Sequence, residues 1–343
     1  MALLCAIVVH TKKTTSDSQK SDVTLDNLAE ANQNGSMSMI NSFISGRGSG
    51  DSDEPEEGTV AARGRTVGAG AGRRPDDEGG VHGLLRSELG DIEVAWRESG
   101  SGDPVVLIHG LAEDSRSWEP QLGRLGRHRT FAYDIRGHGN TTLGSADGTL
   151  AQLGDDLARF LAEVSGPAIC VGFSLGGTIV LWAAAHRPEL VRRAVVLATS
   201  SVVGRRACDF YADRIELARA GSPEELARAL REDTAAALAR PEVDVDAVTA
   251  RRMEAIGAGG GYINGAAAMA TLNGQPLTPD LRDVDCDVTV VGGELDSFCP
   301  RRAADLMLEA LPRACYVEIA GVGHLMNVDD PDAVTAAIVE ACG

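Results

Sequence analysis

The sequence has 343 residues, 43% of them hydrophobic, and a formal net charge of −18 at pH 7. A chain of this length holds one large domain or two of ordinary size, with enough apolar residues for a sizeable core. The acidic balance argues against nucleic acid or an anionic membrane as a partner, because both would repel the protein. No apolar run approaches the ~20 residues that span a bilayer, so we expect no membrane partner.

The N-terminal part of the sequence differs in composition from the remainder. Residues 1–80 contain all three lysines, Lys12, Lys13 and Lys20, together with dense Ser, Asn, Asp and Gly. Such a segment buries too little apolar surface to offset its ordering entropy, which predicts a disordered N-terminal extension over 1–80. The seven cysteines are odd in number and form no Cys-x-x-Cys pair, so we expect neither a disulfide framework nor a zinc site. Because this cysteine pattern does not suggest disulfides, we expect the protein in a reducing, cytoplasmic environment.

From residue 81 onward, short apolar runs alternate with helix-like segments. Predicted strands cover 81–88, 91–98, 105–108, 129–134, 168–173, 191–198, 288–291 and 314–319. Predicted helices cover 117–125, 149–164, 178–186, 208–220, 223–239, 245–256, 301–310 and 331–341. This alternation predicts an α/β fold with a mostly parallel sheet covered by helices on both faces. No buried strand occurs in 201–279, so we expect a core built from 81–200 and 280–343 and a helical cap over 201–279.

A serine lies at the junction of the predicted strand 168–173 and the predicted helix 178–186. The local sequence is GFSLGG, with Gly172 and Gly176 on either side of Ser174. A sharp turn between strand and helix forces the serine into a strained backbone conformation and needs small neighbours. The pattern in this context is a nucleophile elbow, so Ser174 is the candidate nucleophile.

Four further motifs lie at the ends of predicted strands. In chain order the motifs are HG at 109–110, DIRGHG at 134–139, GFSLGG at 172–177, GGELD at 292–296 and GVGH at 321–324. Together they resemble the α/β-hydrolase fold family from about residue 81 to the C-terminus. Within that family, YDIRGHG at 133–139 and GYI at 261–263 look most like the 3-oxoadipate enol-lactonase-like esterases and lactonases.

The resemblance implies the chemistry of a Ser-His-Asp triad. In this fold the three residues come in the chain order Ser, acid, His, which Ser174, Asp296 and His324 satisfy. A serine hydroxyl needs a base to remove its proton, and the carboxylate orients that base. Glu294 is the rival acid, but it lies nearer the predicted strand.

The predicted tetrahedral intermediate needs two backbone N–H donors. One is expected from Leu175, which follows the nucleophile, and the resemblance implies Leu111 for the other. His109 and His138 are expected to brace their loops. No metal or cofactor is expected, because no cluster of residues with ligand spacing and no nucleotide-binding loop occurs in the sequence.

The predicted cap is expected to determine the substrate. Candidate lining residues are Trp118, Tyr211, Met253 and Tyr262, joined by Phe210 and Met269. Arg214, Arg251 and Arg252 could pair with a substrate carboxylate, and a solvated helix face explains them equally well. The glycine run 257–261 is interpreted as a flexible joint.

Three functions stay open at this point. The first is a serine hydrolase that cleaves a small carboxylic ester or lactone through an acyl-enzyme on Ser174. The second is a biosynthetic thioesterase, a cyclase or another non-hydrolytic enzyme of the same fold, and the third is a ligand-binding protein without turnover. The intact triad favours an enzyme, with a small-molecule ester, lactone or thioester as its partner. The motifs specify neither the acyl acceptor nor the oligomeric state.

Overall fold

The computed structural model describes residues 83–343, so the predicted extension over 1–80 lies outside the described residues. The described chain contains a single sheet of eight strands. The strands are β1 (Leu85–Leu89), β2 (Ile92–Gly100), β3 (Asp103–Ile108), β4 (His128–Tyr133), β5 (Ala168–Phe173), β6 (Val191–Leu197), β7 (Asp287–Gly293) and β8 (Ala314–Ile319). The order across the sheet is β1-β2-β4-β3-β5-β6-β7-β8.

The predicted mostly parallel sheet is confirmed. Strands β3 to β8 run parallel, and β2 pairs antiparallel with both β1 and β4. Strands β1 and β2 therefore form a hairpin at the start of the domain. The apolar run 105–108 lies within β3, between β4 and β5, which explains why its side chains need no polar face.

Nine α-helices connect the strands or follow them in the described part of the chain. They are α1 (Leu150–Phe160), α2 (Leu175–His186), α3 (Arg205–Ala220), α4 (Pro223–Ala237), α5 (Val245–Ile256), α6 (Gly260–Thr271), α7 (Arg301–Ala310), α8 (Met326–Asp329) and α9 (Pro331–Cys342). The Thr149 side chain caps α1 by accepting the N–H of Gln152, and Ser222 caps α4 in the same way. No helix among the described residues is both long enough and apolar enough to cross a membrane.

Side chains on the two faces of β3 belong to two separate cores. Val106 and Ile108 pack in one cluster with apolar residues of α1, α2 and α7. Val105 and Leu107 pack in a second cluster with residues of α9. Because alternate residues of a strand point to opposite faces, helices cover both sides of the sheet. The carboxyl ends of the parallel strands are left free to carry the loops that form the site.

Two segments between the strands differ from the expectation. The helix predicted at 117–125 is a short 3₁₀ turn over Ser115–Trp118, followed by irregular turns. Pro120 lacks the amide hydrogen that would continue a helix, and Gly123 has a φ of +78°. The glycine run at 257–261, predicted as a joint, instead leads directly into α6, which begins at Gly260.

Candidate active site

The backbone at Ser174 has the strained conformation of a nucleophile elbow. Ser174 lies between β5 and α2 with φ +51° and ψ −116°, a region that costs a non-glycine residue about 1–3 kcal/mol. A side chain on Gly172 would collide with the carbonyl of Gly176, and one on Gly176 would collide with the carbonyl of Ile108. The glycines of the motif are therefore needed for close approach of main chain to main chain.

Three residues far apart in the sequence meet at the carboxyl edge of the sheet. Ser174 Oγ lies 3.1 Å from His324 Nε2, and His324 Nδ1 lies 3.0 Å from Asp296 Oδ2. In the neutral ring, Nδ1–H donates to the carboxylate and Nε2 accepts the serine O–H. The structure therefore brings together all three residues of the predicted triad in a geometry that can move the serine proton to His324.

Asp296 is held as a buried carboxylate. Its side chain is 0% exposed, and Oδ1 accepts the backbone N–H groups of Phe298 and Cys299. Burial alone would raise the pKa of Asp296, but the hydrogen bond and charge of His324 and the two N–H donors outweigh it, so the pKa lies below its usual value. The rival acid Glu294 is exposed and accepts the N–H of Gly321 at 2.8 Å, away from the imidazole.

The two leucines predicted to supply oxyanion-hole N–H groups lie side by side. Leu175 is the first residue of α2, where N–H groups have no partner within the helix. The side chains of Leu111 and Leu175 both reach the same spot on α6, against Gly265. No hydrogen bond among the described residues uses the N–H of Leu111. The N–H of Leu175 likewise has no hydrogen-bond partner among the described residues.

Two histidines outside the triad brace the loops around it. The His109 Nδ1–H donates to the Gly110 carbonyl at 2.8 Å, and Nε2 accepts the Ile135 N–H at 2.9 Å. The His138 ring packs edge-on against His109, with ring centroids 5.3 Å apart. Burial lowers the pKa of His109 from 6.5 to about 4 and that of His138 to about 3. Both rings are neutral, as a structural role beneath the active site requires.

We expect the free energy of unfolding to fall as the pH drops from about 6.5 toward 4. In that window the unfolded chain protonates both histidines and the folded chain does not, so each ring costs about 1.4 kcal/mol per pH unit. In His138→Gln the free energy of unfolding should depend less steeply on pH, by about 1.4 kcal/mol per pH unit, because one fewer proton is taken up on unfolding. Denaturant titration at several pH values measures this dependence. His186→Gln is the matched control, because His186 lies at the exposed end of α2. If His138→Gln showed the same pH dependence as the wild type, His138 would not be a ring that stays neutral in the folded protein.

Two chambers meet at Ser174. The inner chamber has a volume of about 60 Å³ and is lined by Leu111, Phe173, Ser174, Phe210, Tyr211, Asp233, Ala237, Arg252, Tyr262, Phe298, His324 and Leu325. The outer chamber, of about 370 Å³, is lined by Ser174, Ser200, Arg206, Ala207, Phe210, Tyr211, Met269, Ser297, Phe298, Cys299 and His324. The helices between β6 and β7 supply much of both walls.

Not every predicted lining residue reaches these chambers. Tyr211 and Tyr262 do, but Trp118 is 1% exposed and packs in the core beneath the sheet. Met253 packs against the small apolar cluster that contains Tyr262 and lines neither chamber. Phe298 was not among the predicted site residues, yet its ring stacks on His324 with centroids 5.1 Å apart. Its position two residues after Asp296, on the same loop, is the signal that could have found it.

One cluster in the described part of the chain has the spacing of metal ligands. The carboxylate of Asp296, the thiol of Cys299 and the ring of His324 offer ligand atoms within 4.8 Å of one another. Asp296 and His324 are already hydrogen-bonded to each other, and burial raises the pKa of Cys299 well above its usual value. A protonated thiol is a poor ligand, so this cluster fits the triad better than a metal.

Comparison with known proteins shows the family of the chain. Residues 105–337 match the model of the alpha/beta hydrolase family, and the chain belongs to that family. It is similar to the 2-(acetamidomethylene)succinate hydrolase of Mesorhizobium japonicum, with 30% identity over 262 residues that cover 74% of this chain and 92% of the relative. It is also similar to 3-oxoadipate enol-lactonase 2 of Acinetobacter baylyi, with 24% identity over 72% of this chain and 92% of the relative.

A solved structure supports the same assignment. A hydrolase from Pseudomonas aeruginosa superposes with a TM-score of 0.67 and 27% identity, covering 76% of this chain and 98% of that one. The predicted fold and the resemblance to enol-lactonases and their relatives are thereby confirmed. The chain is an alpha/beta hydrolase whose relatives include hydrolases, esterases and lactonases.

Proposed function

We propose that the protein is a serine hydrolase that cleaves a small carboxylic ester or lactone through an acyl-enzyme on Ser174. The observation that carries the proposal is the position of His324, which is hydrogen-bonded to Ser174 Oγ on one side and to the buried Asp296 carboxylate on the other. This arrangement activates a hydroxyl that is otherwise a weak nucleophile. The family's esterases and lactonases support the reaction class.

In the first half of the reaction, Ser174 Oγ bonds to the substrate carbonyl carbon while His324 Nε2 takes the hydroxyl proton. The N–H groups of Leu111 and Leu175 donate to the oxyanion that forms. When the intermediate collapses, the carbon–oxygen bond to the leaving group breaks and the imidazolium returns its proton to the departing alkoxide. In a lactone, that alcohol stays attached to the acyl group.

In the second half, water replaces the alcohol. His324 removes a proton from the water as its oxygen attacks the acyl-enzyme carbonyl. Collapse of the second intermediate breaks the bond to Ser174 Oγ, which recovers its proton from His324. Throughout, the ionised Asp296 stabilises the imidazolium, and Phe298, stacked on the ring, helps to shield it from bulk water.

The test is the intact mass of the protein after exposure to a fluorophosphonate. We expect one adduct on the wild type and none on Ser174→Ala, because only an activated serine displaces the fluoride. Ser200→Ala is the matched control, since Ser200 lines the outer chamber and its hydroxyl donates to the Val202 carbonyl instead of to a base. An adduct that persists on Ser174→Ala, or a folded wild type that never reacts, would overturn the proposal.

A further inference from the structure

The three arginines that the sequence offered as partners for a substrate carboxylate have different surroundings. Arg214 makes a two-pronged ion pair with Asp233, with both distances 2.7 Å. Arg251 is exposed, 3.7 Å from Glu119 on the protein surface. Arg252, the next residue along α5, lines the inner chamber that contains Ser174. Of these three arginines, only Arg252 lines a chamber that contains Ser174.

The guanidinium of Arg252 has few partners of its own. Its one hydrogen bond goes from Nη1 to Thr234 Oγ1, at 2.7 Å. The Nε–H group is buried and has no acceptor among the described residues. Within that part of the chain no carboxylate oxygen lies within the 4.0 Å of an ion pair with Arg252. Arg252 is half-buried, and a cation withdrawn from water in this way without a paired anion is costly, which indicates a binding role.

The two acids near Arg252 are engaged elsewhere. Asp233 gives both carboxylate oxygens to Arg214. Glu113 accepts the Gly110 N–H at 3.1 Å, and burial raises its pKa, which favours the neutral form. Burial lowers the pKa of Arg252 in spite of the attraction of these acids. An anionic group in the inner chamber would supply the missing partner.

The two chambers have different access to solvent. Of the residues that line only the outer chamber, Arg206, Ala207 and Ser297 are exposed, so a leaving alcohol can depart through it. The inner chamber is bounded by the buried residues Ala237, Tyr262 and Leu325, and by Leu111 of the oxyanion hole. A group that stays attached to Ser174 after the alcohol has left therefore belongs in the inner chamber.

We infer that Arg252 binds a carboxylate on the acyl part of the substrate, an assignment that rests on the proposed hydrolase function. The substrate class is then an ester or lactone of a short dicarboxylic acid. The small inner chamber, of about 60 Å³, has room for a carboxylate and a short chain but not for a long alkyl group. The guanidinium presents the planar donors that match a carboxylate.

The experiment compares matched esters. Monoethyl succinate and monoethyl glutarate are each paired with a neutral ethyl ester in which an isopropyl group replaces the carboxylate, and ethanol release is measured. We expect the wild type to prefer the charged member of at least one pair by about 10- to 100-fold in kcat/KM. Arg252→Gln should abolish that preference, because the charged ester loses the cation that binds its carboxylate. Arg251→Gln, at the exposed neighbour, should keep it.

The outcomes separate this inference from the proposed function. If Ser174 stays unlabelled by fluorophosphonate and neither ester is cleaved, the hydrolase function itself fails. If cleavage depends on Ser174 but the wild type shows no preference, or Arg252→Gln slows both esters equally, only the role of Arg252 is overturned. Should Arg252→Gln not fold, succinate must slow labelling of wild-type Ser174 more than its neutral diamide does. Equal protection by the two compounds would overturn the inference.

Discussion

We expect Asp296→Asn to lower kcat by about 10⁴-fold on any ester that the protein hydrolyses. The reason lies in the partners of each carboxylate oxygen. Oδ1 accepts two backbone N–H groups, from Phe298 and Cys299, so the oxygen of an asparagine must stay there. Its NH₂ group then faces His324 Nδ1, which has to accept a hydrogen bond instead of donating one. The proton moves to Nε2, and His324 can no longer take the proton of Ser174.

Glu294→Gln is the matched control for this prediction. Glu294 lies two residues before Asp296 on the same loop, but it holds the Gly321 N–H and is exposed. Steady-state kinetics on one ester, with circular dichroism to verify folding, should give an unchanged kcat for Glu294→Gln. If both variants lost activity to the same extent, the effect would come from the loop and not from the tautomer of His324. A full rate in Asp296→Asn would exclude Asp296 from the triad.

The triad could be predicted from the sequence because its residues follow strands. Ser174, Asp296 and His324 come after β5, β7 and β8, which are near neighbours in a parallel sheet. Parallel strands bring their carboxyl ends to one edge, so the chain order of motifs is enough to place the side chains together. The candidate nucleophile was clear for a local reason, since the glycines around it permit the sharp turn.

The helical segment between β6 and β7 was harder to predict in detail. A run of glycines disfavours a helix intrinsically, yet α6 forms because Gly261 lies against the main chain of Gly137, where a side chain would collide. That contact joins residues far apart in the sequence, which no local pattern reveals. Trp118 was expected to line the pocket from the loop near the predicted oxyanion hole, but its side chain packs in the core, a choice that tertiary packing makes.

The sequence also could not determine which arginine of α5 faces the active site. Arg251 and Arg252 are consecutive on α5, so their side chains point about 100° apart around the helix axis. Which of them faces Ser174 depends on how α5 is rotated against the neighbouring elements. Tertiary packing fixes that rotation. The sequence could name both as cations, but only the structure distinguishes a surface arginine from one in the chamber wall.

The DIRGHG motif has a structural effect that can be measured. We expect Arg136→Met to lower the free energy of unfolding by about 3–5 kcal/mol. The Arg136 side chain is 4% exposed, and it makes two hydrogen bonds to the buried carboxylate of Asp156, at 2.7 and 2.8 Å. A second pair of bonds reaches Asp91. Methionine fills similar space but leaves Asp156 without its cation. A buried charge that has lost its partner is strongly destabilising.

Arg187→Met is the control, because Arg187 pairs at 2.8 Å with the adjacent acid, Asp155, where both side chains are more than a third exposed. Water screens that pair, so its loss should cost less than about 1 kcal/mol in the same denaturant titration. Adding Asp156→Asn to Arg136→Met should recover part of the stability, since no uncompensated buried charge is left. If the double variant were less stable than Arg136→Met alone, packing of the arginine would account for the loss. The DIRGHG loop would then depend on the shape of Arg136 and not on its charge.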